Sequence, residues 1–332
     1  MKKMIAILLL IGLYVGALCA QEAPSYSVYV VGTCSDGISS QTGYWKNGVF
    51  NPMTYIKNNG IIAVDNGDVY SCTYHESRRS SYDGVGELNV YKNGKYLWSY
   101  SLESRGNQIN MSVSSMVILN GSLCVGLEIS GIDINGYSKN KQFKIIRDGR
   151  CVKSDAGRCM AVANGFLYYT ADYDNVTNGY YAGGNYYKNP DQWNELKFKA
   201  NKMKVFGTNV WMYGRDNNGP CAQCNNEFRS YPIKGHGSSI LDYQECYGVY
   251  YLMDNKEILT HSGNGVYTNI LSAYNPIAME TDGNLLYILA SKQQGAMKVF
   301  CVLTYNPHSK TITNTKTLPG CSDAWQLLVV ED

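Results

Sequence analysis

The sequence predicts an all-β fold built from tandem units of short strands, and three observations carry that prediction. The chain is rich in residues that favour strands and turns, with 29 tyrosines and 33 glycines among 332 residues. No long stretch holds apolar residues at helical spacing. Apolar runs instead occur in pairs joined by turn residues, and the pairs recur about 36 to 54 residues apart.

The N-terminal segment, residues 1–20, is predicted to be a secretory signal peptide. It combines a charged start with an apolar run from Met4 to Val15 and small residues before Gln21. The alternatives are a membrane anchor, for which the run is short against the roughly 20 residues required, and a lipoprotein signal at Cys19, which would want a smaller residue before it. We expect export to the periplasm, the cell surface or the extracellular space.

The mature chain is expected to carry almost no net charge. Removing Lys2 and Lys3 from the 29 basic residues leaves 27, which equals the 27 acidic residues. Nucleic-acid-binding proteins normally present a basic face to the phosphates. Nucleic acid is therefore not an expected partner, and we expect a monomer without a membrane span after cleavage.

Each repeat begins with a tight hairpin, strand a into strand b. Asn-Gly pairs at Asn66, Asn120 and Asn164 indicate the turn, because a two-residue hairpin needs positive φ and Asn and Gly tolerate it. The copies read IIAVDNGDVYSCTY from Ile61, MVILNGSLCVGLEI from Met116, CMAVANGFLYYTADY from Cys159, MKVFGTNVWMYG from Met203, ILDYQECYGVYYLM from Ile240 and IAMETDGNLLYILA from Ile277.

After a polar connection, strand c ends in a second repeated motif, Y-x-K-N-G or a degenerate form of it. Lys-Asn-Gly or Arg-Asp-Gly between two strands again indicates a hairpin turn, here from strand c into a short strand d. The forms are YWKNG at Tyr44, VYKNG at Val90, IIRDG at Ile145 and YYKNP at Tyr186.

A four-stranded unit of about 40 to 50 residues in tandem is the signature of a propeller blade. Strand b occurs seven times if SYSVYVVGT from Ser25 is counted; that copy lacks a strand a, and AWQLLVVED from Ala324 lacks a strand b. We predict one seven-bladed β-propeller over residues 21–332, closed by the C-terminal strand completing the first blade. Six or eight blades, given a compressed segment at 250–273, and two all-β domains are the alternatives.

With these motifs, the chain resembles the secreted bacterial β-propeller repeat family whose blades carry Y-x-K-N-G and N-G-x-hydrophobic-Y repeats. The resemblance covers nearly all of the mature chain and implies the fold, while turn motifs say almost nothing about activity. Propellers generally bind ligands on the face formed by the b-to-c and d-to-a connections. The repeat motif, on the opposite face, is therefore not expected to be the binding site.

The b-to-c connections are expected to be long polar loops that crowd one face and bind a glycan, a peptide or a protein. Aromatic rings, guanidinium groups and small polar residues are typical of such binding surfaces. The predicted ligand-binding residues are His75, Arg78, Arg79, Tyr82, Tyr137, Tyr173, Tyr180, Tyr181, Tyr186 and Arg215.

The sequence contains no recognised catalytic or metal signature. It has no G-x-S-x-G nucleophile elbow, the CAQC pair lacks the further ligands of a zinc site, and DYDNVTNG from Asp172 lacks the downstream glutamate of a calcium loop. The leading hypothesis is a non-catalytic binding protein without metal or cofactor. The alternatives are a propeller hydrolase or lyase acting on an extracellular polymer or small ester through His75 or loop carboxylates, and a structural component of the cell envelope.

Ten of the 11 cysteines remain after the signal peptide is removed, and export permits disulfides without requiring them. If the C-terminal strand pairs antiparallel with the first strand, Cys34 and Cys321 lie close together. A disulfide there would stabilise the fold by up to about 5 kcal/mol on the chain-entropy model. The other candidates are Cys151 with Cys159, and a loop disulfide of Cys221 and Cys224, with each other or with another cysteine.

Overall fold

The structure is a computed structural model that describes residues 25–56, 60–78, 84–104, 108–132, 141–172, 184–188, 192–196, 198–216, 219–225, 227–230, 242–247, 249–253, 258–260 and 269–332. These residues form 27 strands in seven antiparallel sheets and one short 3-10 helix, Asn269–Leu271. Six sheets have four strands and one has three. The protein is all-β with a β-propeller arrangement, as predicted. No helix among the described residues is long and apolar enough to cross a membrane.

The sheets are numbered here in chain order, and within each sheet consecutive strands are neighbours. Sheets 1 to 3 contain β1 (Tyr26–Ser35), β2 (Ser40–Lys46) and β3 (Val49–Pro52); β4 (Ala63–Asp65), β5 (Asp68–Arg78), β6 (Gly84–Lys92) and β7 (Lys95–Ser104); and β8 (Gln108–Leu119), β9 (Ser122–Ile132), β10 (Gln142–Arg147) and β11 (Arg150–Ser154).

Sheets 4 and 5 contain β12 (Ala156–Ala163), β13 (Phe166–Asp172), β14 (Gly184–Lys188) and β15 (Gln192–Glu195); and β16 (Lys199–Phe206), β17 (Asn209–Asp216), β18 (Gly219–Cys224) and β19 (Glu227–Ser230). Sheets 6 and 7 contain β20 (Asp242–Cys246), β21 (Val249–Met253) and β22 (Ile258–Thr260); and β23 (Asn275–Thr281), β24 (Leu286–Gln294), β25 (Met297–Asn306) and β26 (Thr311–Thr317). The last strand, β27 (Cys321–Glu331), joins sheet 1 beside β1.

The core is divided among the spaces between neighbouring sheets. Seven clusters of buried apolar residues each join two sheets that follow one another in the chain, and one of them joins sheet 7 to sheet 1. The first strands of several neighbouring sheets also lie beside one another, as β8 does beside β12, β12 beside β16 and β20 beside β23. These first strands therefore form the inner part of the assembly, and the later strands lie further out.

The C-terminal strand completes sheet 1, as predicted. β27 pairs antiparallel with β1 in a register that runs from Tyr26 opposite Glu331 to Cys34 opposite Cys321. The final residue extends the pairing, because the Asp332 N–H donates to Ser25 O at 2.9 Å. Because β1 and β27 pair with each other, neither the first nor the last strand of the described chain is left unpaired.

The Asn of the Lys-Asn-Gly motif fastens the c-to-d turn to the start of strand b. In sheet 2, Asn93 and Gly94 have φ values of 50° and 75°, which are those of a two-residue hairpin turn. The Asn93 N–H donates to Val69 O at 2.8 Å, and Val69 N–H donates to Asn93 Oδ1 at 2.9 Å. Asn93 Nδ2 also donates to Asp68 Oδ1 at 2.7 Å.

Two further copies of this clamp explain the repetition of the motif. Asn47 makes the same pair of bonds with Val28, both at 2.8 Å. Asn225 makes them with Val210 at 2.9 and 3.0 Å, although the sequence there reads Cys-Asn-Asn rather than Lys-Asn-Gly. The motif is therefore a device of the fold, as the sequence predicted.

The Lys of the motif packs across the sheet on the tyrosine of strand b. Lys92 and Tyr70 are opposite each other, and the Lys92 Nζ lies 5.5 Å from the centroid of the Tyr70 ring. Lys46 and Tyr29 repeat the arrangement at the same distance. These cross-strand pairs connect the two halves of the repeat, N-G-x-hydrophobic-Y and Y-x-K-N-G.

The predicted long b-to-c loops are wrong in part, because strands b and c continue into them. In the segment HESRRSSYDGVGE, β5 runs to Arg78 and β6 begins at Gly84. The residues CSDGISSQTG and RDNNGPCAQCNNE likewise contribute to β1, β2, β17 and β18. The polar composition misled the prediction, since backbone bonds hold an exposed ladder together without apolar side chains.

Candidate functional site

The predicted ligand-binding residues fall into two groups. Four lie in described strands of sheets 2, 4 and 5, and none of the four is opposite another in the strand register: His75, Arg78, Tyr186 and Arg215. The other six lie outside the described residues: Arg79, Tyr82, Tyr137, Tyr173, Tyr180 and Tyr181. Arg78 and Arg215 lie at the ends of β5 and β17 that lead into the b-to-c connections.

Sheet 2 carries a tall ladder on the b-to-c side. β5 and β6 pair without a break from Tyr70 opposite Lys92 to Arg78 opposite Gly84. β6 and β7 pair from the hairpin turn up to Gly84 opposite Ser104. The upper part of this ladder is therefore three paired strands that end at Arg78, Gly84 and Ser104.

A polar row crosses this ladder. His75 is opposite Glu87, and Glu87 is opposite Ser101. Because cross-strand partners project to the same face of a sheet, an imidazole, a carboxylate and a hydroxyl stand side by side. His75 and Ser101 are exposed and Glu87 is half-buried. The sequence predicted His75 alone, since only the strand register shows that Glu87 and Ser101 flank it.

The same face of β5 continues downward between sheets 1 and 2. Ser71 and Thr73 alternate with residues that pack on sheet 3, and they are 0% and 8% exposed. Their hydroxyls have no hydrogen-bond partner among the described residues. An unpaired buried hydroxyl costs about 1–3 kcal/mol, so the two hydroxyls below His75 retain unused hydrogen-bonding capacity.

The opposite face of the ladder is fixed by tight packing on sheet 3. The Met111 N–H donates to Glu76 Oε1 at 2.7 Å. A Cβ added at Gly86 would lie 2.0 Å from Met111 Sδ, so a larger residue there would force the Met111 side chain to move. Glu76, which the sequence placed in a loop, therefore has a structural role, and it holds His75 on a rigid element.

A second cluster of charged residues joins the first strands of sheets 5, 6 and 7. Asp242 is buried and accepts hydrogen bonds from Lys202 Nζ at 3.0 Å, the Tyr213 hydroxyl at 3.1 Å and the Met279 N–H at 2.9 Å. Lys204 Nζ lies 3.2 Å from Asp242 Oδ1. Burial acts to raise the pKa of Asp242, but the two lysines and the backbone N–H outweigh it and hold the pKa well below its usual value.

Glu280 completes the cluster from sheet 7. Its Oε1 lies 3.0 Å from Lys204 Nζ, and its Oε2 accepts a bond from Gln244 Nε2 at 2.7 Å. Burial raises the pKa of Glu280 above its usual value despite the neighbouring lysine. The sequence did not identify this cluster, because its members lie on three sheets far apart in the chain. The bonds within the cluster tie the three sheets together.

None of the ten cysteines in the described residues forms a disulfide. Cys151 is exposed on β11, whereas Cys159 is buried on β12 of the next sheet with its thiol toward Ala200 O, so the structure does not bring this pair together. Cys221 and Cys224 lie on β18 rather than in a loop. Three positions apart on a strand they project to opposite faces, which rules out a bond between them.

The described residues contain no group of three or more His, Cys, Asp or Glu side chains that could hold a metal ion.

Cys34 and Cys321, in contrast to the other predicted cysteine pairs, are direct partners in the register of β1 and β27.

Comparison with known proteins gives likeness of fold only. No protein-family model matches the chain, and no curated protein does. The β-propeller domain of the Trilobed protease from Pyrococcus furiosus is similar over 91% of this chain and 97% of its own, with 11% identity and a TM-score of 0.48. Polysaccharide lyase Uly1 matches 77% of this chain and 59% of its own at 14% identity, and an acylaminoacyl peptidase matches 78% and 52% at 8%, both with a TM-score of 0.37. These similarities carry no argument about activity.

Proposed function

We propose that this chain is an exported, non-catalytic binding propeller of seven blades that holds a glycan, peptide or protein partner on its b-to-c face. Seven sheets and seven buried clusters between consecutive sheets support the blade count. The charged and apolar start of the sequence supports export. A propeller fold is compatible with many functions, so the case for binding depends on the site.

The tall ladder of sheet 2 is the observation that carries the proposal. It raises a row of polar side chains on strands whose other face is locked to sheet 3 through Glu76 and Met111. Rigid support of this kind lowers the entropy cost of binding, because the contact residues are already ordered. His75 is exposed at that level.

The chemistry of the row fits a ligand with several hydroxyl or amide groups. His75, Glu87 and Ser101 together offer donors and acceptors on one face, and Arg78 ends the strand above them. The row has no apolar surface of its own, so hydrogen bonds to polar groups would supply the contacts. Glycans and extended peptides both present such groups at close spacing.

The proposal is tested by screening residues 21–332 against a glycan array and a peptide library. We expect His75→Ala and Glu87→Gln to weaken the best ligand by roughly tenfold or more, the effect of losing one or two hydrogen bonds. His308→Ala is the matched control, because His308 is exposed in the turn between β25 and β26 on the other side. Equal binding by all three variants would overturn the site, and no binding in either screen would leave only a protein partner.

A hydrolase acting on an extracellular polymer or small ester is the second candidate, favoured by the same row. An imidazole beside a carboxylate can serve as a general base, with the carboxylate orienting the ring. Turnover of an ester or polysaccharide substrate that disappears in His75→Ala and falls in Glu87→Gln would establish this role. Binding that survives without turnover would reject it.

A further inference from the structure

The point where the first and last strands meet holds two cysteines on one face. Cys34 is opposite Cys321 in the pairing of β1 with β27, directly after a register shift between Thr33 and Cys34. Both side chains pack against the same apolar cluster, which includes Trp45 and Ala324. The two thiols therefore project in the same direction from neighbouring strands.

The spacing of the two strands fits a cross-link. Opposite residues in antiparallel strands have Cα atoms about 4.5 or 5.5 Å apart, and disulfides span Cα separations of about 4.4–6.8 Å. The Cys321 N–H donates to Leu318 O at 3.3 Å, so the two cysteines do not exchange both backbone bonds. Pairs of that kind have the shorter Cα separation.

The surroundings leave room for the Cys34 sulfur. Gly320 directly precedes Cys321 and has a φ of 66°, and a Cβ added there would lie 2.8 Å from Cys34 Sγ. The Cys321 Sγ is 3.3 Å from Asp323 O. Burial and the neighbouring Asp323 carboxylate raise the pKa of Cys321 to about 12, so this thiol is protonated at neutral pH and exchanges slowly.

We propose that Cys34 and Cys321 form a disulfide that fastens the closing strand to the first strand. The Cys34 thiolate attacks a small-molecule disulfide such as oxidised glutathione and displaces one glutathione thiolate. Cys321 then loses its thiol proton, attacks the Cys34 sulfur of the mixed disulfide and displaces the second glutathione thiolate. Two cysteine protons are released and taken up by the two glutathione thiolates, so one disulfide is consumed for the one formed.

The cross-link encloses nearly the whole chain. On the chain-entropy account, a loop of about 290 residues lowers the unfolding equilibrium constant by roughly a thousandfold or more. Opening sheet 1 would no longer release the C-terminal strand, because the strand stays tethered beside β1. The bond is therefore a covalent closure of the ring, in addition to its backbone pairing.

The test begins with residues 21–332 incubated with oxidised glutathione, blocked with iodoacetamide and digested with trypsin. Mass spectrometry should find residues 21–46 joined to residues 317–332, and the joined mass should disappear after reduction. Unfolding in guanidinium chloride should need more denaturant for the oxidised chain than for the reduced chain. This difference should vanish in Cys34→Ser and persist in Cys151→Ser, the matched control.

Iodoacetamide labelling of both Cys34 and Cys321 after oxidation would overturn the proposal, as would a cross-link from either one to a different cysteine. If Cys34→Ser does not fold, Cys321→Ser and the peptide map of the unmodified chain give the same decision. An equal unfolding midpoint for the oxidised and reduced chains would reject the closing role even if the bond forms.

Discussion

Replacing Asp242 with Asn should be among the most damaging single changes in the inner strands. Asp242 is 2% exposed, and its carboxylate accepts bonds from two lysines and a tyrosine hydroxyl on sheet 5 and from the Met279 N–H on sheet 7. An amide of the same size leaves Lys202 and Lys204 without their shared counter-charge. It also turns an NH2 group toward donors, since the amide keeps only one acceptor oxygen.

Removing one partner of a buried ion pair costs about 3–5 kcal/mol, because the remaining charge is left uncompensated. We expect a loss near the lower end of that range for Asp242→Asn in guanidinium chloride unfolding at pH 7, because Lys204 keeps Glu280 as a counter-charge and Lys202 is 42% exposed. Glu280→Gln is the matched control, since this carboxyl is partly exposed and its folded pKa is already raised. We expect Glu280→Gln to change the free energy of unfolding by less than about 1 kcal/mol.

The pH dependence of the free energy of unfolding provides a second, independent test of this prediction. A folded pKa below the unfolded value means that Asp242 stabilises the fold above about pH 4 and loses this contribution as the pH falls. The gap between the native chain and Asp242→Asn should therefore be widest near pH 7 and narrow toward pH 3. A gap below about 1 kcal/mol, or one that is equal at pH 7 and pH 3, would refute the reasoning.

Three further changes test other parts of the fold. Asn93→Ala should lower the free energy of unfolding by about 1–3 kcal/mol, because it removes the acceptor of Val69 N–H and strains the turn at φ 50°; Lys95→Ala beside it should have little effect. Gly86→Ala should cost about 1–3 kcal/mol by overpacking against Met111, and Met111→Leu should relieve part of that loss by removing the thioether; no relief would contradict the contact. The ionised form of Glu280 is disfavoured in the fold, so the free energy of unfolding should fall as the pH rises through the raised pKa of this carboxyl. Glu280→Gln should make that fall smaller. A pH dependence from pH 4 to pH 8 that is the same in urea unfolding of the variant and the native chain would contradict this.

The repeated turns made the fold predictable from the sequence. Asn66, Asn120 and Asn164 adopt φ values of 48–51°, which is the conformation that the Asn-Gly pairs predicted. The closing strand was also predictable, because a strand a missing at one end of the chain was present at the other. Both signals are local in sequence or a matter of counting, and neither requires knowledge of side-chain contacts.

In the weaker repeat of sheet 6, the residues of the first hairpin turn do not predict its conformation. Tyr247 occupies the turn with φ 54°, a conformation that bulky residues rarely adopt. Its ring lies 4.3 Å from that of His308 in the c-to-d turn of sheet 7. A contact between different sheets accompanies this unusual residue, and the sequence of the hairpin alone does not contain it.

The candidate site was less predictable than the fold. His75 was singled out, but its neighbours Glu87 and Ser101 are defined by register across three strands. The Asp242 cluster depends on the packing of three sheets, so composition and motif spacing could not indicate it. Strand ends were misjudged for a related reason, since polar residues in an exposed ladder look like loop residues.

The closed ring is tested most directly by hydrogen exchange in a chain that lacks residues 321–332. Closure by β27 predicts that β1 loses amide protection, because its partner strand is gone, and that β23 loses protection beside it. Amides of sheet 4, three sheets away from sheet 1 in the chain order, should keep more of their protection. A synthetic peptide of residues 321–332 should restore protection to β1. Unchanged exchange in β1 after the truncation would contradict the closed ring.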